Sequence, residues 1–600
     1  MEIKLNEQQE ELANFRGGHC ITLASAGSGK TATILERTRR LISSGVDPNN
    51  IMILTFSKKS VADLKERIDT DLKGVYISNF HSMCLQTLKI HGDNRELVIG
   101  WKLVKFFTDK YGEEFPVGEL QSWISFQKSH MRKFSANGFV EKETSMDAFK
   151  LPLYYKEYQK FMSDHSFFDF DDMLLDFVDL LKKDEHIRDY FTNQYQYIMV
   201  DEHQDSSRVQ NEILKLITGA GNLVCIGDIK QNIYNFRGSD LGICLDFKDD
   251  WENAKVIQLP INYRSTKDIV DVSNAFIKPS FENYDLYADA LAHQDTLGTV
   301  VGEFSSDNVV PRIQKLIQDK TEPKDIAVLV RTNDLGGTYE LELRSMGIPC
   351  VMIGGKSFLD RMEINVIMSY LKLSVDNTDY GSFKNVYNTP NRFLSKKFID
   401  KVGKTVGMSK EDLFGLTQRL KNDIKPYELR GYRDFARAVE SIDPNGNPEN
   451  QIDMILKTTE LEKHLKHTYD DYEVRIKAIG SLKKIASKYK TIRQFLFMIQ
   501  NLNTDKTKNA VQIMTVHKSK GLEFDHVFVA SVDNEIFPHI KSSDEEERRL
   551  FYVAISRAIR GLYVSGTSKF VIEIRDIIGE DTEELSDEEF GDMDFMLEDW

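Results

Sequence analysis

The sequence predicts an α/β protein made of two parallel-sheet units, each interrupted by a mainly helical insertion. Three observations carry this. Short apolar runs alternate with helical stretches at both ends of the chain, the pattern of βαβ units and a parallel sheet. One run, Ile21-Thr22-Leu23, meets the small-residue loop Ala24-Ser25-Ala26-Gly27-Ser28-Gly29 and then Lys30-Thr31, opening a helix expected to reach Arg40. Two long stretches, about 87–166 and 376–509, read as helix and divide the strand-rich parts.

The loop Ala24 to Thr31 has the spacing of a phosphate-binding P-loop, with Ala24 where the strict pattern has its first glycine. Small residues let backbone N–H groups close around phosphates, and the following helix N-terminus adds partial positive charge. Lys30 is expected to reach the β- and γ-phosphates, and the Thr31 hydroxyl to hold Mg²⁺.

Six hundred residues exceed one core, so roughly three to five structural units are expected. No apolar run approaches the ~20 residues that span a bilayer, and Met1-Glu2-Ile3-Lys4 is no signal peptide. Five scattered cysteines without metal-ligand spacing suit a reducing cytosol, so a cytoplasmic location without a membrane partner is expected. The net charge is −16, but Glu580 to Trp600 holds eleven Asp/Glu and no Lys/Arg, which leaves −5 for the remainder. A mildly acidic body can still bind nucleic acid through a local basic groove, so net charge does not decide the matter.

Along the chain, Asn6 reads as the N-cap of a first helix, ahead of the P-loop strand. Ile51 to Phe56 is a buried strand followed by the helix Lys58 to Ile68, and Gly74 to Ser78 leads into Asn79-Phe80-His81-Ser82. From about Thr87 to Ser166 the texture turns helical, aromatic and basic, and no strand is expected. The sheet resumes at Tyr197 to Val200, which ends in Asp201-Glu202. Carboxylates at the C-terminal edge of a parallel strand stand where such sheets place ligands. Asp201 is expected to hold the Mg²⁺ water shell and Glu202 to orient and deprotonate the attacking water. After the strand Leu223 to Asp228 come Gln231, Tyr234, Phe236 and Arg237. They read as a phosphate sensor, Gln231, joined to a platform that stacks bases and grips a backbone. Inward packing of Tyr234 or Phe236 remains the alternative at this point. A second strand-rich region begins at Ile326 to Val330 and Pro349 to Ile353. It resumes at Val511 to Thr515 and His526 to Val529, and closes with a helix from Glu545 to Arg557 and the strand Gly561 to Val564.

Taken in order, these segments resemble the motifs of the UvrD/Rep/PcrA group of superfamily 1A DNA helicases over most of the chain. Leu5 to Gln9 resembles the Q motif, Ala24 to Thr31 motif I, Thr55 to Lys59 motif Ia and Phe80 to Ser82 motif Ib. Asp201 to Asp205 resembles motif II, Gly227 to Gly238 motif III, Asn262 to Ser265 motif IV, Thr515 to Phe524 motif V and Glu545 to Ala558 motif VI. The resemblance implies two RecA-like P-loop domains, 1–86 with 167–264 and 265–375 with 510–575. The insertions are then 87–166 and 376–509, and 576–600 is an acidic disordered tail.

The resemblance also implies roles. Gln9 would read the adenine edge and Tyr263 would stack on the base. Ala24, Ser25, Ala26, Gly27, Ser28, Gly29, Lys30 and Thr31 would bind ATP, and Glu523 would contact the ribose or couple the site to DNA. Arg264 and Arg557 would come from the second α/β unit as arginine fingers, so that ATP turnover becomes relative domain motion. Phe56, His81, Tyr234, Phe236 and Arg237, with His517 and Lys518, would contact single-stranded DNA. The implied activity is an ATP-dependent 3′ to 5′ helicase of repair, replication or recombination, bacterial or phage-encoded, using ATP and Mg²⁺ and engaging single strands and ss/ds junctions. A translocase that displaces proteins, and a nucleotide-gated DNA-binding scaffold with little turnover, are the alternatives.

Departures from that pattern shape further expectations. Ala32 stands where relatives often carry Arg, which loosens adenine discrimination, and the second insertion is shorter than in large relatives. About forty residues follow motif VI, too few for a nuclease or partner-binding module. The tail carries Phe590, Phe595 and Trp600 among acids. It reads as a solubilising end, as a ligand for a protein partner, or as an occupant of the chain's own basic groove.

Overall fold

The computed structural model describes residues 4–67, 72–112, 114–134, 138–142, 144–219, 221–355, 357–398, 425–469, 472–501, 509–540 and 542–579. The acidic tail from Glu580, and residues 399–424 and 502–508 of the second insertion, lie outside them. Two compact units result: one of residues up to 300 with 538–560 and 576–579, the other of 301–537 with 561–575.

The first unit is built on six strands: β1 (His19–Ala24), β2 (Ile51–Thr55), β3 (Tyr76–Asn79), β4 (Tyr197–Val200), β5 (Asn222–Gly227) and β6 (Lys255–Leu259). Their order is β3-β2-β4-β5-β1-β6, and every pairing is parallel. Helices cover both faces, so the strands are apolar on both sides. Within β1, Cys20 and Ala24 point into one core with Ile34, Leu41 and Ile53. Ile21 and Leu23 point into the opposite core with Leu54, Leu174 and Ile213. In a parallel sheet all strand ends of one polarity lie together, so the loops after β4, β5 and β1, three adjacent strands, share one rim.

The first insertion holds the helices Gly100–Tyr111, Val117–Ser129 and Leu151–Asp164 around Phe107, Leu120, Trp123 and Tyr155. Two short strands, Glu96–Leu97 and Phe167–Phe168, pair in parallel where the chain enters and leaves it. No strand was expected there: two residues each are too few to show a period-2 pattern. Lys128, fully buried, bonds Asp169 at 2.6 Å and Asp172 at 2.7 Å, tying the insertion to the helix Phe170–Lys183.

A second sheet is made of β7 (Thr299–Phe304), β8 (Ile326–Val330), β9 (Cys350–Met352), β10 (Val511–Thr515), β11 (Phe524–Val529) and β12 (Ala558–Ser565). Their order is β7-β12-β11-β8-β10-β9, with β8 parallel to both neighbours and β9 parallel to β10. Between β9 and β10 the described elements are helices, the first α-helix starting at Met362 and the last ending at Asn501, around Leu371, Phe383, Tyr432, Phe435 and Leu482. The fold is thus the expected one of two RecA-like parallel-sheet units with helical insertions. The helix expected over 545–557 runs from Asp544 to Ile555, capped by the Ser543 side chain. Among the described residues no helix is long and apolar enough to cross a membrane.

Candidate nucleotide site and nucleic-acid groove

The loop after β1 is shaped by glycine. Gly27 and Gly29 have φ of +68° and +76°, which residues with a Cβ rarely adopt. A Cβ on Gly27 would stand 2.7 Å from both Arg264 Cβ and Asn262 Oδ1, so motif IV closes directly over the loop. Tyr263 N donates to Gly27 O at 2.9 Å and Ser25 N to Leu259 O at 3.0 Å. The helix Lys30–Ser43 then starts at Lys30, with Thr31 in its first turn.

Gln9 occupies the third helical position of a capping box: its N donates to Asn6 Oδ1 at 2.7 Å, and its Oε1 accepts from Asn6 N at 3.0 Å. Its Nε2 donates to Ser28 O at 3.0 Å, on the phosphate loop. Asn6 Nδ2 donates in turn to the Tyr263 hydroxyl at 2.8 Å. The Tyr263 ring is 36% exposed and lies 4.5 Å from the ring of His293.

Opposite the loop, β4 delivers Asp201 and Glu202. Glu202 has φ +55°, a left-handed conformation uncommon outside glycine, of the kind that clusters at functional sites. Its N donates to Asp201 Oδ1 at 3.0 Å, and its Oε1 lies 3.7 Å from Lys30 Nζ. Gln204, which the sequence reading passed over, donates from Nε2 to Glu202 Oε2 at 2.5 Å and accepts at Oε1 from Asp228 N at 2.9 Å. It therefore joins the loops after β4 and β5. Its signal was available: it stands two residues past Glu202.

Gln231 sits in a one-turn 3₁₀ helix after β5, with Nε2 donating to Asp228 Oδ2 at 2.8 Å. Its Oε1 accepts from Arg557 Nη2 at 2.9 Å. Arg557 is 1% exposed, and burial, then the neighbouring charge of Arg264, pushes its guanidinium down to about 9. Arg264 Nη1 donates to Ser556 O at 3.0 Å. The two arginines were expected to come from the second α/β unit. Both belong to the first compact unit, Arg264 following β6 and Arg557 following the helix Asp544–Ile555. The chain returns late to complete a rim begun at Gln9, which spacing alone could not show.

A second feature of the same unit is a groove of about 520 Å³ lined by Phe56, His81, Phe170, Asp171, Tyr234 and Arg237, among others. Phe56 stacks on Tyr234 with centroids 5.3 Å apart and planes 18° off parallel. The Arg237 guanidinium stands 5.4 Å from the Tyr234 centroid and 5.5 Å from that of Phe236. Phe236 is 49% exposed, whereas Tyr234 is half-buried, so neither ring is core in the sense of the inward-packing alternative. Burial lowers the His81 pKa, favouring the neutral ring. Burial and then Asp169 push Asp171, on the groove wall, up to about 7.

The remaining site residues lie in the second unit. His517 and Lys518 are on the short helix Val516–Ser519 after β10, where exposed Lys518 donates to Gly354 O. Glu523 is exposed just before β11.

Two family models match the chain. The UvrD/REP helicase N-terminal domain matches residues 5–252 and the UvrD-like helicase C-terminal domain residues 257–569. The chain belongs to the UvrD/Rep helicase family. UvrD-like helicases hydrolyse ATP, and this chain is an enzyme of that class. Among its relatives are proteins of Staphylococcus epidermidis and Staphylococcus aureus, each named ATP-dependent DNA helicase PcrA. Both are 27% identical to it, over 94% of this chain and 83% of the relative.

Proposed function

We propose that this UvrD-like protein is an ATP-dependent DNA helicase that moves 3′ to 5′ on single-stranded DNA and opens duplex at ss/ds junctions. The observation that carries the reading is the closed rim itself: Lys30 beside Glu202, Gln231 bonded to Arg557, and Arg264 packed over Gly27. Phosphoryl transfer needs little more from a protein than positioning and charge stabilisation. Lys30, Arg264 and Arg557 supply fixed cationic donors for the phosphoryl oxygens, and Gln231 reports the γ-phosphate to the loop that bears Tyr234 and Phe236. Glu202, held at 3.7 Å from Lys30 and bonded by Gln204, orients water and accepts its proton.

The Thr31 hydroxyl and Asp201 carboxylate are the hard oxygen donors that Mg²⁺ prefers, and the ion, when bound with the nucleotide, would neutralise phosphate charge. Among the described residues no group of three His, Cys, Asp or Glu could hold a metal alone, which suits an ion that shares its shell with phosphates and water.

Gln9 and Tyr263 are assigned to the base of ATP. Phe56, His81, Tyr234, Phe236 and Arg237 of the first unit are assigned to DNA, and so, each on its own unit, are His517 and Lys518 of the second. Stacking on rings is sequence-tolerant, as a motor that passes over any sequence requires. ATP hydrolysis with and without single-stranded DNA tests the reading, with Glu202→Gln as the inactive control. Displacement of streptavidin from a biotinylated 3′ or 5′ end then tests direction. Stimulation by DNA with release from the 5′ end supports the proposal. DNA-independent hydrolysis, or release from the 3′ end, overturns it.

A further inference from the structure

The turn that carries Gln231 also carries Lys230, a lysine only 3% exposed. Lysines are rarely buried so completely unless paired with an acid. Among the described residues, none of the hydrogen bonds of this ammonium goes to a carboxylate. Its Nζ donates to Ala288 O at 3.1 Å and to Ser25 Oγ at 3.4 Å, the second residue of the loop after β1. The rings of Tyr287 and Tyr552 lie 5.7 and 5.8 Å from it. The space around it is a narrow cavity between the end of β1, the turn after β5, and residues 286–288. A cation in such a place is held by geometry, and its field acts on whatever lies across the loop, because low-dielectric surroundings screen it poorly.

We infer that Lys230 is a positioning residue for the nucleotide. It braces Ser25 of the phosphate loop from behind, and it fixes the separation between that loop and the sensor Gln231, its neighbour in sequence. The assignment rests on the proposed ATPase reading and deepens it. Its logic is mechanical and electrostatic. Gln231 is already held by Asp228 and Arg557. Lys230 supplies a further tie, from the sensor's own turn to Ser25, so that the loop and the sensor move as one body. The positive charge adds to that of Lys30 without touching the phosphates, which favours nucleotide binding over empty closure.

Burial, above all, lowers the Lys230 pKa; Asp228 on its own turn and Asp289 beyond Tyr287 oppose that, and Lys30 reinforces it. The other groups facing it are the Tyr287 and Tyr552 hydroxyl-bearing rings, both of which burial keeps neutral. The ammonium therefore loses its proton earlier on the alkaline side than an exposed lysine does.

The test is steady-state ATP hydrolysis, saturated with single-stranded DNA, for wild type, Lys230→Met, Lys230→Arg, Ser25→Ala and the Ser25→Ala/Lys230→Met double variant. For Lys230→Met we expect KM for ATP to rise about tenfold while kcat falls less than about threefold, and for Lys230→Arg about threefold recovery in KM. The alkaline limb of the wild-type kcat/KM profile moves to higher pH in Lys230→Arg and vanishes in Lys230→Met. The double variant is no worse than Lys230→Met alone, since the hydroxyl and the ammonium act as one contact. An unchanged KM in Lys230→Met, or penalties that simply multiply in the double variant, overturns the inference. If Lys230→Met does not fold, as judged by circular dichroism, Lys230→Arg and Ser25→Ala decide it through the same KM and pH readouts. A wild-type protein with no DNA-stimulated hydrolysis sinks the motor reading instead, and the two failures are told apart by that one control.

Discussion

The nucleotide rim and the ring-lined groove belong to the same sheet yet are built on opposite principles. On the rim, three buried glutamines are each bonded to other polar groups: Gln9 to Ser28, Gln204 to Glu202 and Asp228, Gln231 to Asp228 and Arg557. In the groove, Phe56, Tyr234, Phe236 and Arg237 touch one another by stacking and cation–π contact. On the proposed reading the rim needs to be rigid, because charge developing on a phosphoryl group is stabilised only by donors already in place. The groove can be adaptable because a base needs only a flat face. The difference teaches where a substitution should abolish function and where it should only weaken it.

The sharpest break comes at the rim. Glu202→Gln should lower DNA-stimulated ATP turnover by about 10²–10³-fold or more with ATP affinity largely kept, read by hydrolysis rate and by nucleotide titration. Gly27→Val should come next. Its Cβ would collide with Arg264 and Asn262, and its φ is unfavourable for a β-branched residue, so ATP affinity should fall by at least about tenfold. Equal nucleotide binding by this variant would show that motif IV does not close on the loop as described.

The groove is probed by charge and then by ring. Asp171 binds its proton more tightly when folded than when unfolded, since its folded pKa lies near 7 and its unfolded pKa near the ordinary aspartate value. The folded state thus holds more protons between about pH 4 and pH 7, so this group's contribution to stability falls as pH rises through that window. Asp171→Asn should therefore differ least from wild type near pH 3.5 and exceed it by up to about 4 kcal/mol at pH 8 in urea unfolding. A gain of equal size at both pH values would contradict this. Smallest of all, Phe236→Ala should weaken single-strand binding by about 1–2 kcal/mol without altering DNA-independent ATP hydrolysis, measured by fluorescence anisotropy at fixed salt.

Much of this was legible in the sequence for a physical reason: nucleotide chemistry is local. The spacing of Ala24 to Lys30 fixes one loop, and Asp201-Glu202 fixes one strand end, so each could be read from a few neighbours. The second sheet shows the limit of pattern alone. β8 runs into the helix Asn333–Ser345 through Arg331 and Thr332, another parallel strand feeding a helix, but no small-residue loop lies between them. Alternation of strand and helix announces the sheet, whereas the glycines of the loop after β1 announce the proposed phosphate site.

Less legible were the contacts that join distant segments. Arg557 to Gln231 spans 326 residues and Lys230 to Ser25 spans 205, and nothing in local periodicity encodes either. Gln204 and Lys230 each stand within two residues of a recognised catalytic candidate, yet their partners appear only once the chain is folded. The short strands Glu96–Leu97 and Phe167–Phe168 were missed for the opposite reason, being too brief to carry a pattern at all.

The capping arrangement at Gln9 has a consequence for selectivity. Both ends of that amide are already engaged, one holding the start of the first helix and the other the phosphate loop, and Asn6 is tethered to Tyr263. On the nucleotide reading, a purine arriving there exchanges hydrogen bonds instead of adding them, and the net gain from recognition is small. Preference for one nucleobase then arises from how well the newcomer imitates the departing partners. A bare triphosphate would leave the whole arrangement undisturbed, binding by its charge alone.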